Sequence, residues 1–357
     1  MEIRPASVLN WQHTYTLSRF ALLRREGKGF VLESPLTNRQ FAVPGVSVLR
    51  ILDGLSRPRP LESLLAAVDE SQRPALRSFI EACDEAGLLT RVDDDGLTEE
   101  ETSSLGSWEF HDLLFHAGSR LGRNRQPVGA TYPLKGRIPE PPRSSLPSAN
   151  PPLTLPRPNL DNVQEPVLDH VLERRRSAYG LKPLDMTTLG AFLYRTCRIT
   201  STAVEDDESA VHKVYPSAGG LHPLRVYVAV TSCEGCRSGL YLYLDDEHAL
   251  LPIRDLDGSV QRLLSDARDR APGLSGPSPA LLVISARFQR TAWKYESIAY
   301  RLTLLEVGGL FQTMYLVATA MGLTACALAC GDSDHFARTI GSDYYAETSV
   351  GEFLLGR

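Results

Sequence analysis

Charge is missing from one long stretch of this sequence. Residues 307–331, VGGLFQTMYLVATAMGLTACALACG, hold no Asp, Glu, Lys or Arg over 25 positions. A bilayer span needs about 20 predominantly apolar residues. Here Gly308, Gly309, Gln312, Thr313 and Thr319 interrupt the run, and Arg301 and Glu306 belong to the same helical stretch. Residues 297–321 therefore read as one proline-free helix, stopped at Gly322 and buried on all sides in a core or subunit interface rather than in a membrane. An excess of basic charge is also missing. The net charge of -5 gives no electrostatic case for nucleic acid. Cysteine is sparse, with six in 357 residues, so no disulfide framework is expected and a reducing cytoplasm fits. Cys233 and Cys236 make a single CxxC without a second, and unpaired thiols are the default reading over zinc. His111 and His116 are five apart and do not share a helix face as metal ligands would. The N-terminus lacks a basic segment followed by an apolar core, so no secretory signal is expected. No internal repeat is present.

What remains is an ordinary globular composition in a chain long enough for two domains. Residues 1–95 read as a small winged-helix-like unit. A hairpin pairs Phe30-Val31-Leu32 with Gln40-Phe41-Ala42-Val43, Pro44-Gly45 ends it, and three short helices and a strand over 88–92 follow. An acidic, solvated break at Asp93–Asp95 and Glu99–Glu101 leads into residues 96–160, a connecting region with an amphipathic helix over 108–123 and then a linker. Nine prolines between 133 and 158 forbid helix and central strand there, and favour an extended segment along the surface. Residues 161–357 read as an α+β sandwich. Helices are expected over 167–175, 187–196 and 255–269, and strands over 224–231, 239–244 and 280–286. The first of the later helices takes Asp185 or Thr187 as its cap.

Four short motifs could carry chemistry. Arg174-Arg175-Arg176-Ser177 sets guanidinium groups and a hydroxyl at a helix end, which suits a phosphate and the oxygens of a polar ring system. Tyr215-Pro216-Ser217-Ala218-Gly219-Gly220-Leu221-His222-Pro223 is a small-residue loop that lets backbone approach a ligand closely. Lys294-Tyr295 puts a cation beside a phenol, which favours the phenolate, and such a pair could remove a proton from carbon. Adjacent residues diverge on a regular helix, so both can serve one site only at an element boundary. Gly308-Gly309 within the long helix marks a close approach by another backbone or a flat ligand.

Taken together, RRRSAYG, YPSAGGLHPLRVYV, GLYLYL, FQRTAWKYESIAYRLTLLE and LFQTMYLVATAMGLTA, in this order, resemble the flavin-dependent azoline dehydrogenases of the nitroreductase-like superfamily. These enzymes convert thiazoline or oxazoline rings in peptides to thiazoles or oxazoles. The resemblance runs from about Trp108 to Arg357. It implies an FMN-binding sandwich, usually a homodimer with the flavin at the interface. By position it assigns cofactor binding to Arg175, Arg176, Ser177, Ser217, Gly219, Gly220, Gln312, Gly322, Leu323 and Arg357. Lys294 and Tyr295 match the pair that looks catalytic in the family. Tyr179 stands where the family often has an arginine, and Thr313 where it often has an asparagine. The first unit similarly resembles the peptide-recognition domains of enzymes that modify ribosomal peptides.

The expectation is an FMN-dependent dehydrogenase acting on an azoline-containing precursor peptide or carrier-bound chain, with a cyclodehydratase or other biosynthetic partner supplying the ring. Tyr295 would take the proton from the former α-carbon, while a hydride leaves the adjacent ring carbon for the flavin. Two rivals stand beside it. One is a general nitro- or quinone-reductase using NAD(P)H, which needs no positioned carbon-acid base. The other is a non-catalytic peptide-binding scaffold within a modification complex.

Overall fold

The computed structural model describes residues 9–357 except 38, 44, 125, 144–150, 206–207, 275 and 277. Pro44, the middle of the proline-rich stretch and the first eight residues of the N-terminus, on all of which expectations fall, lie outside the described residues. Contacts divide the chain into two compact units, Met1–Val128 and Gly129–Arg357.

In the first unit, helices Val46–Leu55, Glu62–Leu65 and Arg73–Glu85 surround a core in which Leu55, Leu61, Ile80 and Leu88 are fully buried. Gly87, at φ +67°, turns the chain out of the third helix into the strand Leu89–Arg91. That strand pairs with Thr14–Leu17, which also pairs with Arg59–Pro60. The expected hairpin is present, with Phe30 opposite Val43 and Glu33 opposite Gln40, and Leu22–Glu26 adds a third strand to it. Two expectations are corrected. The acidic break is not wholly solvated: Glu100 is buried, accepts hydrogen bonds from Ser18 Oγ (2.5 Å) and the Arg19 N–H (3.2 Å), and lies within a capping box formed by Thr98 and Glu101. The helix expected over 108–123 is shorter, Phe110–Gly118, and Gly122 beyond it sits at φ +105°.

The second unit is built on a seven-stranded sheet with every neighbouring pair antiparallel. Its order is Thr324–Leu328, Glu347–Gly356, Ala280–Arg287, Leu224–Val230, Gly239–Leu244, Ala249–Asp255 and Leu153–Thr154. Both faces are covered, which is why its central strands are continuously apolar rather than alternating. Leu282, Ile284 and Val228 face one layer, where Met186–Cys197 contributes Leu189, Phe192 and Leu193 and the long helix contributes Leu310 and Met314. Leu281, Val283 and Tyr227 face the other, against Val260 and Leu263 of Gly258–Asp269 and Phe336 of Ser333–Ile340. Asp185 caps Met186–Cys197 through the Thr188 N–H (2.7 Å), and Asp257 caps the helix expected from 255, after the strand Ala249–Asp255.

The long helix spans Ala299–Ala320, and within its own chain it is buried on one face only. By length and composition it could cross a membrane. One face is instead packed in the core, with Thr303, Glu306, Val307, Leu310, Met314 and Ala318 buried, each fully buried apolar side chain contributing roughly 1.5–3 kcal/mol. The opposite stripe is open within this chain: Leu304 is 37% exposed, Leu305 is 62% exposed, and Gly308 and Gln312 are exposed too. Missing charge signals an apolar helix but does not say which apolar face its own chain covers.

Candidate active site

Strand Ala280–Arg287 does not run directly into the long helix. A seven-residue helix, Phe288–Lys294, intervenes, and Tyr295 ends it in an extended conformation. This break lets two consecutive side chains reach one place. The place is Gly219, in the small-residue loop before strand Leu224–Val230. A methyl group built on Gly219 would stand 2.8 Å from Tyr295 Oη and 3.4 Å from Lys294 Nζ. Gly219 and Gly220 both lie in the left-handed region, at φ +58° and +65°. Only glycine takes that backbone without strain, and only glycine leaves room for the phenol and the ammonium.

Behind this loop is a buried polar cluster. Ser217 Oγ donates to Glu306 Oε2 (2.5 Å) and accepts from the His222 N–H (2.9 Å), so the hydroxyl clamps the loop to the long helix. His222 Nε2 donates to the Val211 carbonyl (2.9 Å), which leaves Nδ1 as an acceptor when the ring is neutral. His222 Nδ1 and Glu306 Oε1 are 3.9 Å apart, both buried and both without a hydrogen-bond partner among the described residues. Burial pushes the Glu306 carboxyl up to about 7, against the opposing Ser217 hydrogen bond and the charges of Lys213 and Arg290. Burial, helped by Lys213, pulls His222 down to about 4. Between about pH 4 and 7 the pair is therefore chiefly neutral, and the 3.9 Å approach is not an ion pair there. His222 also carries φ +45°, a strained value for a side chain of its size.

A second cluster forms around Tyr315. Ser177 Oγ hydrogen-bonds Tyr315 Oη (2.7 Å), which also accepts from the Ala327 N–H (2.7 Å), and the Arg175 guanidinium lies 5.3 Å from the Tyr315 ring centre. The Ala178 N–H donates to Ala325 (2.9 Å). Arg176 and Ser177 are exposed. Gly322 is exposed at φ +68°, with nothing within 4 Å of where a Cβ would stand, and Leu323 follows it into the strand. Arg357 exchanges backbone hydrogen bonds with Lys182, while its guanidinium sits on Asp185 (2.6 Å) and Thr188 (2.9 Å) beside a cavity of about 460 Å³ shared with Cys233 and Cys236. Tyr179 packs its ring against Gly273.

The two clusters do not meet within one chain. Glu306 and Tyr315 are nine residues apart on one helix, a rise of about 14 Å and a rotation of about 180°. Gln312 lies on the open stripe between them. Sequence reasoning missed Glu306, Tyr315 and Tyr132. Glu306 carried a readable signal, as the one acid in Ala299–Ala320. Tyr132 was hidden in the proline-rich segment. Its ring centre lies 5.4 Å from Lys294 Nζ and its N–H donates to the Lys294 carbonyl (3.0 Å).

Comparison with known proteins gives two family matches. A nitroreductase family model matches residues 172–357, and a model described as cyanobactin oxidase ThcOx matches residues 15–125. A protein of Methanocaldococcus jannaschii named as a nitroreductase is 31% identical over 46% of this chain and 79% of its own length. The microcin B17-processing protein McbC of Escherichia coli is 28% identical over 52% of this chain and 69% of its own. A chain of the solved Escherichia coli microcin synthetase McbBCD complex with truncated pro-MccB17 aligns at TM-score 0.42 and 23% identity, covering 64% of this chain and 87% of that one.

Proposed function

The chain belongs to the nitroreductase family, and from that premise we propose that it oxidises thiazoline or oxazoline rings of a peptide precursor to thiazoles or oxazoles, with FMN as cofactor. The observation that carries this reading is the convergence of the Tyr295 phenol and the Lys294 ammonium on Gly219. A general reductase has no use for a base placed against its flavin loop. Oxidising an azoline requires one, because a carbon-bound proton must leave. The likeness to a microcin-processing protein and to a cyanobactin oxidase model supports the same choice.

The residues present suit a flavin. Exposed Arg176 and Ser177 offer donors to a phosphate, and the bare backbone at Gly322 permits close approach of a flat ring. When bound, the flavin supplies the two-electron oxidation. Tyr295 removes the proton from the ring carbon that was an α-carbon. For this Tyr295 acts as the phenolate, with the Lys294 ammonium as its counter-charge, and it becomes the neutral phenol on taking up the proton. Ser217, tied to Glu306, holds the loop against which the substrate ring lies.

FMN bound between two copies accounts for the separated clusters. The loop flank of one long helix and the arginine flank of another meet if the open stripes of Leu304, Leu305 and Gln312 pack together in a homodimer. The first unit engages the precursor peptide. Ribosomal peptides contain no azolines, so a cyclodehydratase or equivalent partner must make the ring first. All six cysteines are free thiols, which suits the cytoplasm where such precursors are made.

The test is the visible spectrum of the purified protein, followed by incubation with an azoline-containing peptide. Flavin bands and the loss of two mass units per ring are expected. A colourless protein that refuses FMN, or a flavoprotein bleached by NADPH that leaves azolines intact, overturns the reading.

A further inference from the structure

The proline-rich segment begins with a stretch anchored beside Lys294 and Tyr295. Its anchors fall on the short helix that ends at Lys294 or on the residues flanking it. Gly129 and Glu296 exchange backbone hydrogen bonds (3.4 and 2.9 Å), and Thr131 Oγ1 donates to the Glu296 carboxylate (2.6 Å). Trp293 Nε1 donates to Ile138 (3.0 Å). Prolines offer carbonyls but no N–H. Arg290 takes the Pro141 carbonyl (2.6 Å) and Arg287 that of Pro142 (2.7 Å). Residues 129–142 are thus strapped along the element that presents the catalytic pair.

Within the strap, Tyr132 has φ +54°, a left-handed backbone that is costly for a tyrosine. Ser297, two residues after Tyr295, is also left-handed, at φ +63°. The strain at Tyr132 coincides with a directed contact. Its ring meets Trp293 edge-on at 5.6 Å and 89°, and its centre lies 5.4 Å from Lys294 Nζ. An ammonium at that range from an aromatic ring is held by the ring's quadrupole. Lys135 Nζ lies 5.3 Å from the same ring centre.

We propose that Tyr132 is a positioning residue for the Lys294–Tyr295 pair, its ring fixing the Lys294 ammonium beside Gly219, so that the strap 129–142 is a working wall of the site. The assignment rests on the reading of Lys294 and Tyr295 as catalytic. A packing role would ask only for bulk at position 132. A cation–π role asks for an aromatic ring and is indifferent to the hydroxyl.

The full chain with its flavin is compared as wild type, Tyr132→Phe and Tyr132→Leu, at matched flavin content and with melting temperatures recorded. On an azoline peptide, Tyr132→Phe stays within about two-fold of wild type, while Tyr132→Leu loses about ten-fold in kcat with KM unchanged. Independently of turnover, acetylation of Lys294 by acetic anhydride is followed by peptide mass spectrometry, with exposed Lys182 as the internal reference. Lys294 reacts faster relative to Lys182 in Tyr132→Leu than in wild type or Tyr132→Phe. Should the leucine chain not fold, Tyr132→Met replaces it. Equal kcat in the phenylalanine and leucine variants, or an unchanged Lys294 rate in the leucine variant, overturns the proposal. If wild type oxidises no azoline, the functional reading fails, and the acetylation comparison still decides the role of Tyr132.

Discussion

Ser217 and Glu306 are joined by a 2.5 Å hydrogen bond that ties the glycine loop to the long helix, deep enough that Glu306 is only 4% exposed. The tie has a pH signature. Glu306 moves from an ordinary 4.5 to about 7 in the folded chain, and His222 beside it from 6.5 to about 4. Between pH 4.5 and 7 the folded state keeps the Glu306 proton that the unfolded chain releases, so this residue makes stability fall as pH rises. Between pH 6.5 and 4 the unfolded chain gains a His222 proton that the folded state refuses, so this one makes stability fall as pH drops. The two slopes oppose each other from about pH 4.5 to 6.5. In Glu306→Gln only the histidine slope remains. Urea denaturation should show the variant gaining on wild type steadily from pH 4.5 to 7, reaching on the order of 2–3 kcal/mol. Parallel stability curves would refute the raised Glu306.

The proposed role of Lys294 and Tyr295 has a kinetic signature. Tyr295→Phe should lose about 10²–10⁴-fold in azole formation, the usual worth of a general base. Lys294→Ala should lose a comparable factor, and the double variant little more, because the two act as a unit. The assay is the loss of two mass units at matched flavin content. Near wild-type rates in both single variants would move preference to a general reductase.

Cofactor retention tests the other cluster. Arg175→Ala should purify with much less FMN while remaining folded. Tyr315→Phe should fall between that and wild type, since it removes the oxygen that holds Ser177 and the Ala327 N–H, each bond contributing roughly 0.5–1.5 kcal/mol. Absorbance of the bound flavin per chain measures both, and full occupancy in Arg175→Ala removes the assignment.

Assembly is tested at Leu305, which is 62% exposed in the single chain. Light scattering should give wild type a mass of twice 39.3 kDa. Leu305→Arg, which sets a charge on the apolar stripe, should shift that toward the monomer. A wild-type monomer with FMN bound would sink the interface.

The convergence at Gly219 was readable because it is built from rare combinations. A lysine followed by a tyrosine at an element boundary, and paired glycines after Pro-Ser-Ala, constrain backbone and side chain together, and the structure brings them to one point. The central strands were readable from unbroken apolar runs such as ALLVISA. Other parts were silent for physical reasons. Nine prolines announced only what the segment could not form, and said nothing of the carbonyls that Arg287 and Arg290 would use. Tyr132 follows no periodicity, since its role depends on a left-handed backbone and on a helix more than 150 residues later. Tyr315 sits in an apolar run where it reads as core. The uncharged helix was identified correctly as apolar, yet its exposed stripe differs from its buried one only through what the rest of the chain happens to cover.

The opposite placement of Ser217 and Ser177 around one helix has a genetic consequence. Where each reaction centre draws its loop from one copy and its arginines from another, defects in the two clusters belong to different halves of the same centre. A chain carrying Tyr295→Phe and a chain carrying Arg175→Ala, each inactive alone, would complement when co-expressed. Every mixed pair would hold one centre with both defects and one with neither, so a random equal mixture regains about a quarter of wild-type activity. Two defects within one cluster would regain nothing.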